Sequence, residues 1–90
     1  MIYVPVNDDV YTISGRAVDI LTGEPIPYAN VFISGTHLGD ISNNDGIFSI
    51  SQINTESCTL SVSYIGYETK SKTLTFPEDE GNFFLVSLHN

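Results

Sequence analysis

The sequence predicts an all-β domain of about six or seven short strands, folded as an antiparallel sandwich or a small barrel. Short runs alternate between apolar and polar side chains, and no segment keeps the period of a helix. The segments between these runs are rich in glycine, proline, asparagine and aspartate, which favour turns. The predicted strands are Val10 to Asp19, Ala29 to Ser34, Ile47 to Ile53, Thr59 to Ile65, Tyr67 to Phe76 and Phe83 to Leu88.

Alternation also predicts which face of each strand is buried, because successive side chains point to opposite sides of a sheet. In the second run the apolar positions on one face are Ala29, Val31 and Ile33. The last run repeats this pattern at Phe84, Val86 and Leu88.

Cys58 is the only cysteine, so no disulfide forms within the chain and a multi-cysteine metal site is excluded. It alternates with Leu60, Val62 and Tyr64, and this shared face predicts a core thiol rather than a nucleophile. A single thiol of this kind is compatible with either redox compartment.

Two turns follow directly from glycine and its neighbours. Gly23 lies in the segment Thr22 to Pro27, whose two prolines lack the N–H group of a sheet ladder. We therefore expect a turn there, followed by an edge strand. Asp45 and Gly46 precede an alternating run, which is typical of a β-hairpin.

Gly66 separates two tyrosines in a stretch that otherwise predicts extended chain. The large residues before it, Leu60, Val62 and Tyr64, have even numbers, whereas the next large residue, Tyr67, has an odd number. A strand cannot change faces without an extra residue or a turn. We therefore predict that Gly66 is the corner between two strands, since glycine adopts backbone angles closed to other residues.

Length and charge limit the classes of function. Ninety residues suit one domain, and we predict an N-terminal extension or linker at residues 1–9 and a β-sandwich domain at residues 10–90. The formal net charge of -8 repels nucleic acid and anionic membrane surfaces, so neither is an expected partner. No apolar run reaches the roughly 20 residues that cross a bilayer. Membrane contact is expected only through a larger parent protein.

No metal or cofactor is predicted. Asp40, Ser42 and Asn44 have the spacing of the first oxygen ligands in a calcium loop. The match then fails, because Asp45 occupies the position that requires glycine and Ser51 the position that requires glutamate. We interpret this stretch as a loop and turn.

Two functions other than a purely structural role are open to this chain, namely binding and hydrolysis. Tyr28, Tyr67 and Phe76 are candidates for a surface that binds carbohydrate or peptide, because aromatic rings supply large contact areas. The competing interpretation is that they fill the ends of a thin sandwich.

A hydrolase is the weaker alternative. It would use His37, Asp40 and Ser42 as base, orienting carboxylate and nucleophile. No nucleophile elbow or oxyanion signature surrounds these residues, so we expect no catalytic residues in this chain.

Five blocks of sequence occur in an order typical of one family: ISGRAVD at 13–19, TGEPIPYANV at 22–31, ISGT at 33–36, SNNDGIF at 42–48 and VSYIGY at 62–67. Together they resemble the carboxypeptidase regulatory-like domain family, from about Thr12 to Leu88. Two positions depart from the family pattern. Ala17 stands where a larger β-branched residue is frequent, and Tyr28 stands where glycine is frequent.

The resemblance implies a transthyretin-like (prealbumin-like) sandwich of about seven strands in Greek-key order, without catalytic activity or a cofactor. Similar domains form the periplasmic N-terminal extension of TonB-dependent outer-membrane receptors in Gram-negative bacteria. The implied location is therefore the periplasm or outer membrane, within a larger exported protein. The implied partner is protein, either the rest of the parent or a periplasmic protein, and the implied role is a spacer or docking module in nutrient uptake.

Overall fold

The computed structural model describes residues 10–90, so the predicted extension at residues 1–9 lies outside the described range. No helix long and apolar enough to cross a membrane occurs in this part of the chain. Its strands are β1 (Tyr11–Asp19), β2 (Asn30–Ile33), β3 (Gly39–Ile41), β4 (Ile47–Ile53), β5 (Ser57–Ser63), β6 (Lys70–Thr75) and β7 (Phe83–Leu88).

The strands form two sheets that make a β-sandwich, which confirms the predicted fold class. One sheet has three strands in the order β4-β1-β7, and the other has four in the order β3-β2-β5-β6. The edge strand predicted after Pro27 was wrong, because β2 lies between β3 and β5. One pair differs from an all-antiparallel arrangement, because β1 and β7 run parallel. A parallel pair needs a long crossover, and here the chain from β2 to β6 supplies it.

The core lies between the inner faces of the two sheets. The predicted face of β2 is confirmed, since Val31 and Ile33 are buried while Phe32 between them is 43% exposed. Full burial of a side chain of this size stabilises the fold by roughly 1.5 to 3 kcal/mol. The largest fully buried apolar side chains are Phe48, Ile13, Ile33, Ile53, Leu60, Leu74, Leu88 and Val62.

Cys58 lies in β5, half-buried against this core. Burial, followed by the negative charge of Asp79, raises the pKa of its thiol above the ordinary value. A raised pKa keeps the thiol protonated and weakly nucleophilic, as expected for a thiol that packs against the core.

The connection between β3 and β4 corrects two sequence predictions. The stretch that begins at Asp40, predicted as loop, begins within β3, a strand of three residues that is too short to show an alternating pattern. Asp45 and Gly46 do form a tight turn, in which the Gly46 N–H donates to the Asn43 carbonyl at 2.9 Å. This turn is not a hairpin, however, because β3 pairs with β2 and β4 pairs with β1, in different sheets.

Gly66 lies in the turn between β5 and β6, at a φ of 88°. The Tyr67 N–H donates to the Tyr64 carbonyl across this turn at 3.0 Å. The change of buried face that we inferred here was wrong, since Leu60 in β5 and Leu74 in β6 are both buried and both even-numbered. Tyr67 belongs to the turn and not to β6, so its odd number carries no information about the strand.

Candidate functional site

Asp40, Ser42 and Asn44, which have the spacing of calcium ligands, use their side chains in hydrogen bonds within the protein. The two carboxylate oxygens of Asp40 accept the backbone N–H groups of Ile41 and Ser49, each at 2.8 Å. Asn44 Oδ1 accepts the Tyr28 hydroxyl at 3.2 Å. Within residues 10–90, no group of three histidine, cysteine, aspartate or glutamate side chains is placed to hold a metal ion. The stretch acts as a junction between β3 and β4.

Ser42, the nucleophile of the hydrolase alternative, is only 1% exposed. Its Oγ donates to the Ile26 carbonyl and accepts the Ala29 N–H, both at 2.8 Å. His37 lies in the exposed turn before β3. The Ser42 hydroxyl therefore fastens the segment before β2 to the end of β3, and both its donor and its acceptor are occupied.

The three aromatic residues proposed as a binding surface do not come together. Phe76 follows β6, is buried, and stacks on Tyr11 with ring centroids 4.6 Å apart. Its proposed surface position is corrected accordingly, because the ring fills one end of the core. Tyr28 is exposed, whereas Tyr67 is half-buried with its hydroxyl donating to Asp19 at 2.7 Å, at the end of the sandwich away from Phe76.

The Tyr67–Asp19 hydrogen bond joins the β5–β6 turn to the end of β1, and so connects the two sheets. Asp19 Oδ1 also accepts the N–H groups of Leu21 and Thr22, at 2.8 and 3.1 Å. The Tyr67 hydroxyl and then these two amides lower the pKa of the Asp19 carboxyl below its ordinary value. The same hydrogen bond raises the pKa of Tyr67. We interpret the pair as a structural contact.

Two sheets leave four edge strands, and three of them carry features that oppose pairing with another chain. β3 has only three residues. β4 has an irregular register with a positive φ of 62° at Gln52, and its Ser49 N–H is occupied by Asp40. β6 carries Lys70 and Lys72.

β7 is the fourth edge, and it has none of these features. Its sequence, FFLVSL, contains no charged residue and no proline. Phe83 and Leu85 are 58% and 66% exposed on the outer face of the sheet. Exposed apolar edges are rare in natural sheets because they invite another strand, so β7 is the candidate surface for binding a partner.

The pairing with β1 determines which backbone groups of β7 are free. The carbonyls of Asn82 and Leu88 accept N–H groups of β1 and of Ile20 directly after it, at 3.3 and 3.0 Å. In a parallel ladder, alternate residues direct both backbone groups to the same neighbour. Because the even-numbered residues face β1, the odd-numbered residues Phe83, Leu85 and Ser87 direct their N–H and carbonyl groups away from it.

A cleft of about 170 Å³ opens between the two sheets beside β7. Two of the three basic residues of the chain, Lys70 and Lys72, line it. The Lys72 Nζ lies 5.4 Å from the centre of the Phe84 ring, an arrangement typical of a cation–π contact. Neither lysine forms an ion pair within residues 10–90. We call this feature the β6–β7 cleft, lined by Leu60, Val62, Lys70, Ser71, Lys72, Phe84, Leu85 and Val86.

A family model described as the CarboxypepD_reg-like domain matches residues 13–90. The chain belongs to this family. The match begins within β1 and includes the six other strands, so it covers nearly the whole described fold. A comparison with curated proteins found no match. This CarboxypepD_reg-like chain is therefore an accessory β-sandwich domain, of a family whose members are regulatory and non-catalytic.

Proposed function

We propose that this CarboxypepD_reg-like domain is the periplasmic N-terminal extension of a TonB-dependent outer-membrane receptor involved in nutrient uptake. It would act there without catalysis, as a spacer or docking module. The observation that carries this proposal is the family match over residues 13–90. The receptor context comes from the resemblance of the sequence blocks, because a fold alone does not establish function.

The hydrogen bonds that the polar side chains already form support a role without catalysis. A nucleophile must have a hydroxyl that can reach substrate and a base to take its proton. The Ser42 hydroxyl is buried and bonded at both its donor and acceptor, and Asp40 accepts two backbone N–H groups. Both residues therefore stabilise the junction around β3 and are poorly placed for chemistry.

The surface supports a role in contact with protein. A net charge of -8 disfavours anionic lipid and nucleic acid. The β7 edge and the apolar side chains beside it offer a surface that a protein segment can cover. Tyr28, Tyr67 and Phe76 do not form a shared face, so they give no support to a carbohydrate site.

Deletion of the domain from its full-length receptor tests the docking role. Residues 13–90 are removed in frame, and nutrient uptake is measured at matched receptor levels. We expect uptake to fall, because the partner contact is lost. Unchanged uptake at normal receptor levels would contradict a docking role.

A replacement variant separates docking from spacing. In this variant a flexible glycine–serine linker, which keeps the connection but provides no folded surface, takes the place of residues 13–90. A spacer role predicts that the linker restores uptake. A docking role predicts that uptake stays low.

Protease accessibility tests the location. In intact cells, a tagged domain in the periplasm should resist protease added outside. Permeabilising the outer membrane should then make the tag accessible. Cleavage in intact cells would indicate a surface location and contradict the proposal.

A further inference from the structure

We propose that β7 is a docking edge that accepts an extended segment of a partner protein as an added strand, with apolar and acidic residues alternating along that segment. The inference rests on the docking role proposed above and specifies its surface and the chemistry of its partner. Three features carry it: backbone groups of β7 that have no partner strand within residues 10–90, an apolar outer row, and two lysines beside the edge that form no ion pair within that range.

The backbone of β7 supplies the pairing groups. Phe83, Leu85 and Ser87 direct their N–H and carbonyl groups away from β1, and β7 has no other neighbour among the described strands. An incoming strand would form a regular ladder with these groups. No proline, charge or bulge in β7 opposes this pairing.

The side chains of β7 define what the incoming strand should carry on its outer face. Phe83 and Leu85 lie exposed there, two residues apart and therefore on the same side of the strand. Cross-strand neighbours on one face interact directly, and aromatic or β-branched partners suit an aromatic ring. Apolar residues at alternate positions of the partner would cover this row.

The opposite face of the incoming strand would lie over the β6–β7 cleft. Lys70 and Lys72 line that cleft, and no carboxylate within residues 10–90 pairs with either. The Phe84 ring holds Lys72 beside β7. Acidic residues at the positions between the apolar ones would meet these ammonium groups, so charge complementarity requires a partner with alternating apolar and acidic residues.

A second copy of this chain is a poorer partner by the same argument. If two β7 strands paired, each would present FFLVSL, which contains no carboxylate for the lysines. We therefore assign the edge to a different protein.

The test uses a synthetic peptide of about eight residues, the length of a natural strand, in which valine and glutamate alternate. Binding to the 90-residue chain is followed by backbone amide shifts in an NMR titration. We expect shifts at residues 83–88 and at Lys70 and Lys72. A peptide that alternates valine and lysine should bind at least about tenfold more weakly, because its charges oppose the two ammonium groups.

Peptides methylated on alternate amide nitrogens test strand addition without changing the protein. Methylation of the glutamate amides blocks one edge of the peptide strand, and methylation of the valine amides blocks the other. Because alternate N–H groups of a strand point to opposite sides, one methylated peptide should lose binding and the other should keep it. Equal binding by both would overturn the proposal.

Leu85→Pro removes an N–H group that points to the free edge, a position where proline is tolerated in sheets. We expect the affinity of this variant for the peptide to fall at least about tenfold. Leu85→Ala keeps the N–H group, so its affinity should fall by less. A circular dichroism spectrum checks that the proline variant folds. If it does not fold, the methylated peptides still decide the question.

Lys72→Gln and Arg16→Gln remove the same charge at different places. Lys72 lines the cleft, whereas Arg16 lies on the outer face of β1. We expect about fivefold weaker binding for Lys72→Gln, the upper range for an exposed ion pair, and little change for Arg16→Gln. Equal losses would show that only net charge matters and would overturn the assigned site.

The outcomes for the two proposals are distinguishable. If no amide in residues 83–88 shifts, or if these shifts follow self-association of the chain, the β7 inference is wrong. The docking role itself is judged by uptake after deletion of residues 13–90, which does not depend on which surface the partner contacts.

Discussion

At the scale of single residues, the backbone angle of Gly66 controls the β5–β6 turn. Its φ is 88°, a value that side chains with a Cβ rarely adopt. A Cβ added there would meet no atom within 4 Å, so steric contact with neighbours would not contribute to a loss of stability. Substitutions at Gly66 therefore measure the cost of the backbone conformation alone.

Gly66→Val should lower the free energy of unfolding by about 1 to 3 kcal/mol, because a β-branched residue is strained at positive φ. Urea unfolding at neutral pH measures the change. Gly66→Asn is the matched control and should lose less, since asparagine tolerates the left-handed region. Equal stability of the valine variant and the original chain would show that the turn adopts another conformation.

The backbone angle of Tyr28 could not be predicted from its own residue type. Its φ is 65°, although tyrosine itself gives no local signal for a positive angle. The resemblance to a family with glycine at this position was the only indication. A tertiary contact holds the angle, since the Tyr28 N–H donates to the Ser42 carbonyl at 2.9 Å.

At the scale of strands and connections, Ser42 holds the segment before β2 against the end of β3. Ser42→Ala leaves the buried Ala29 N–H without its acceptor and should lower the free energy of unfolding by about 1 to 3 kcal/mol. Ser51→Ala, at an exposed position in β4, is the matched control and should change it by less than about 0.5 kcal/mol. Urea unfolding compares the two, and similar losses would contradict a specific role for the Ser42 hydroxyl.

The Tyr67–Asp19 contact predicts how the stability of the connection between sheets depends on pH. The pKa of Asp19 is lowered by folding, so its contribution is present above the ordinary pKa and is lost as pH falls through the folded value. The pKa of Tyr67 is raised, so its contribution is present below the ordinary pKa and is lost as pH rises through the folded value. The contact should stabilise most between about pH 5 and pH 9.

Thermal unfolding of the original chain and of Tyr67→Phe from about pH 2 to pH 11, which extends beyond this range at both ends, tests the prediction. The difference in Tm should be largest near neutral pH and should shrink at both ends. In an Asp19→Asn background, Tyr67→Phe should no longer produce the acidic part of this dependence, because the carboxylate is absent. A difference that stays constant from acid to alkaline pH would contradict the assigned hydrogen bond.

The predicted strands are determined by their own alternating pattern, whereas the missed strand, β3, is determined by its partner strand. Alternation located β2, β4 and β7, because each buries one side of a long enough run. β3 has three residues and only one half-buried side chain, so pairing with β2 defines it rather than its own pattern. Asp45 and Gly46 likewise predicted a turn but not which strands pair, because pairing is decided by non-local contacts.

At the scale of the whole molecule, the candidate docking edge depends on strand order. The alternating run at residues 83–88 predicted β7 and its buried face, but not that β7 lies at an edge beside β1. The proximity of Lys72 to Phe84 also arises from packing of one sheet on the other. The sequence offered one usable signal for this site, namely an apolar run without charge or proline.

The charge of the whole molecule gives the last prediction. Nine of the eleven acidic residues lie within residues 10–90, against three basic ones, and the compact fold of this range brings their like charges together. Sodium chloride should therefore raise the Tm as its concentration increases from about 0.01 M to 0.5 M, because the screening length falls well below the size of the domain. Differential scanning calorimetry measures the slope of Tm against salt concentration.

Neutralising exposed acidic residues provides the control for this slope. Glu56 and Glu78 are both exposed, and neither side chain accepts a hydrogen bond from residues 10–90. The double variant Glu56→Gln/Glu78→Gln should raise the Tm at low salt and reduce the slope, since less repulsion remains to be screened. If the slope is unchanged in this variant, the salt effect comes from ion binding or from stronger apolar burial, and repulsion between acidic side chains does not limit the stability of the domain.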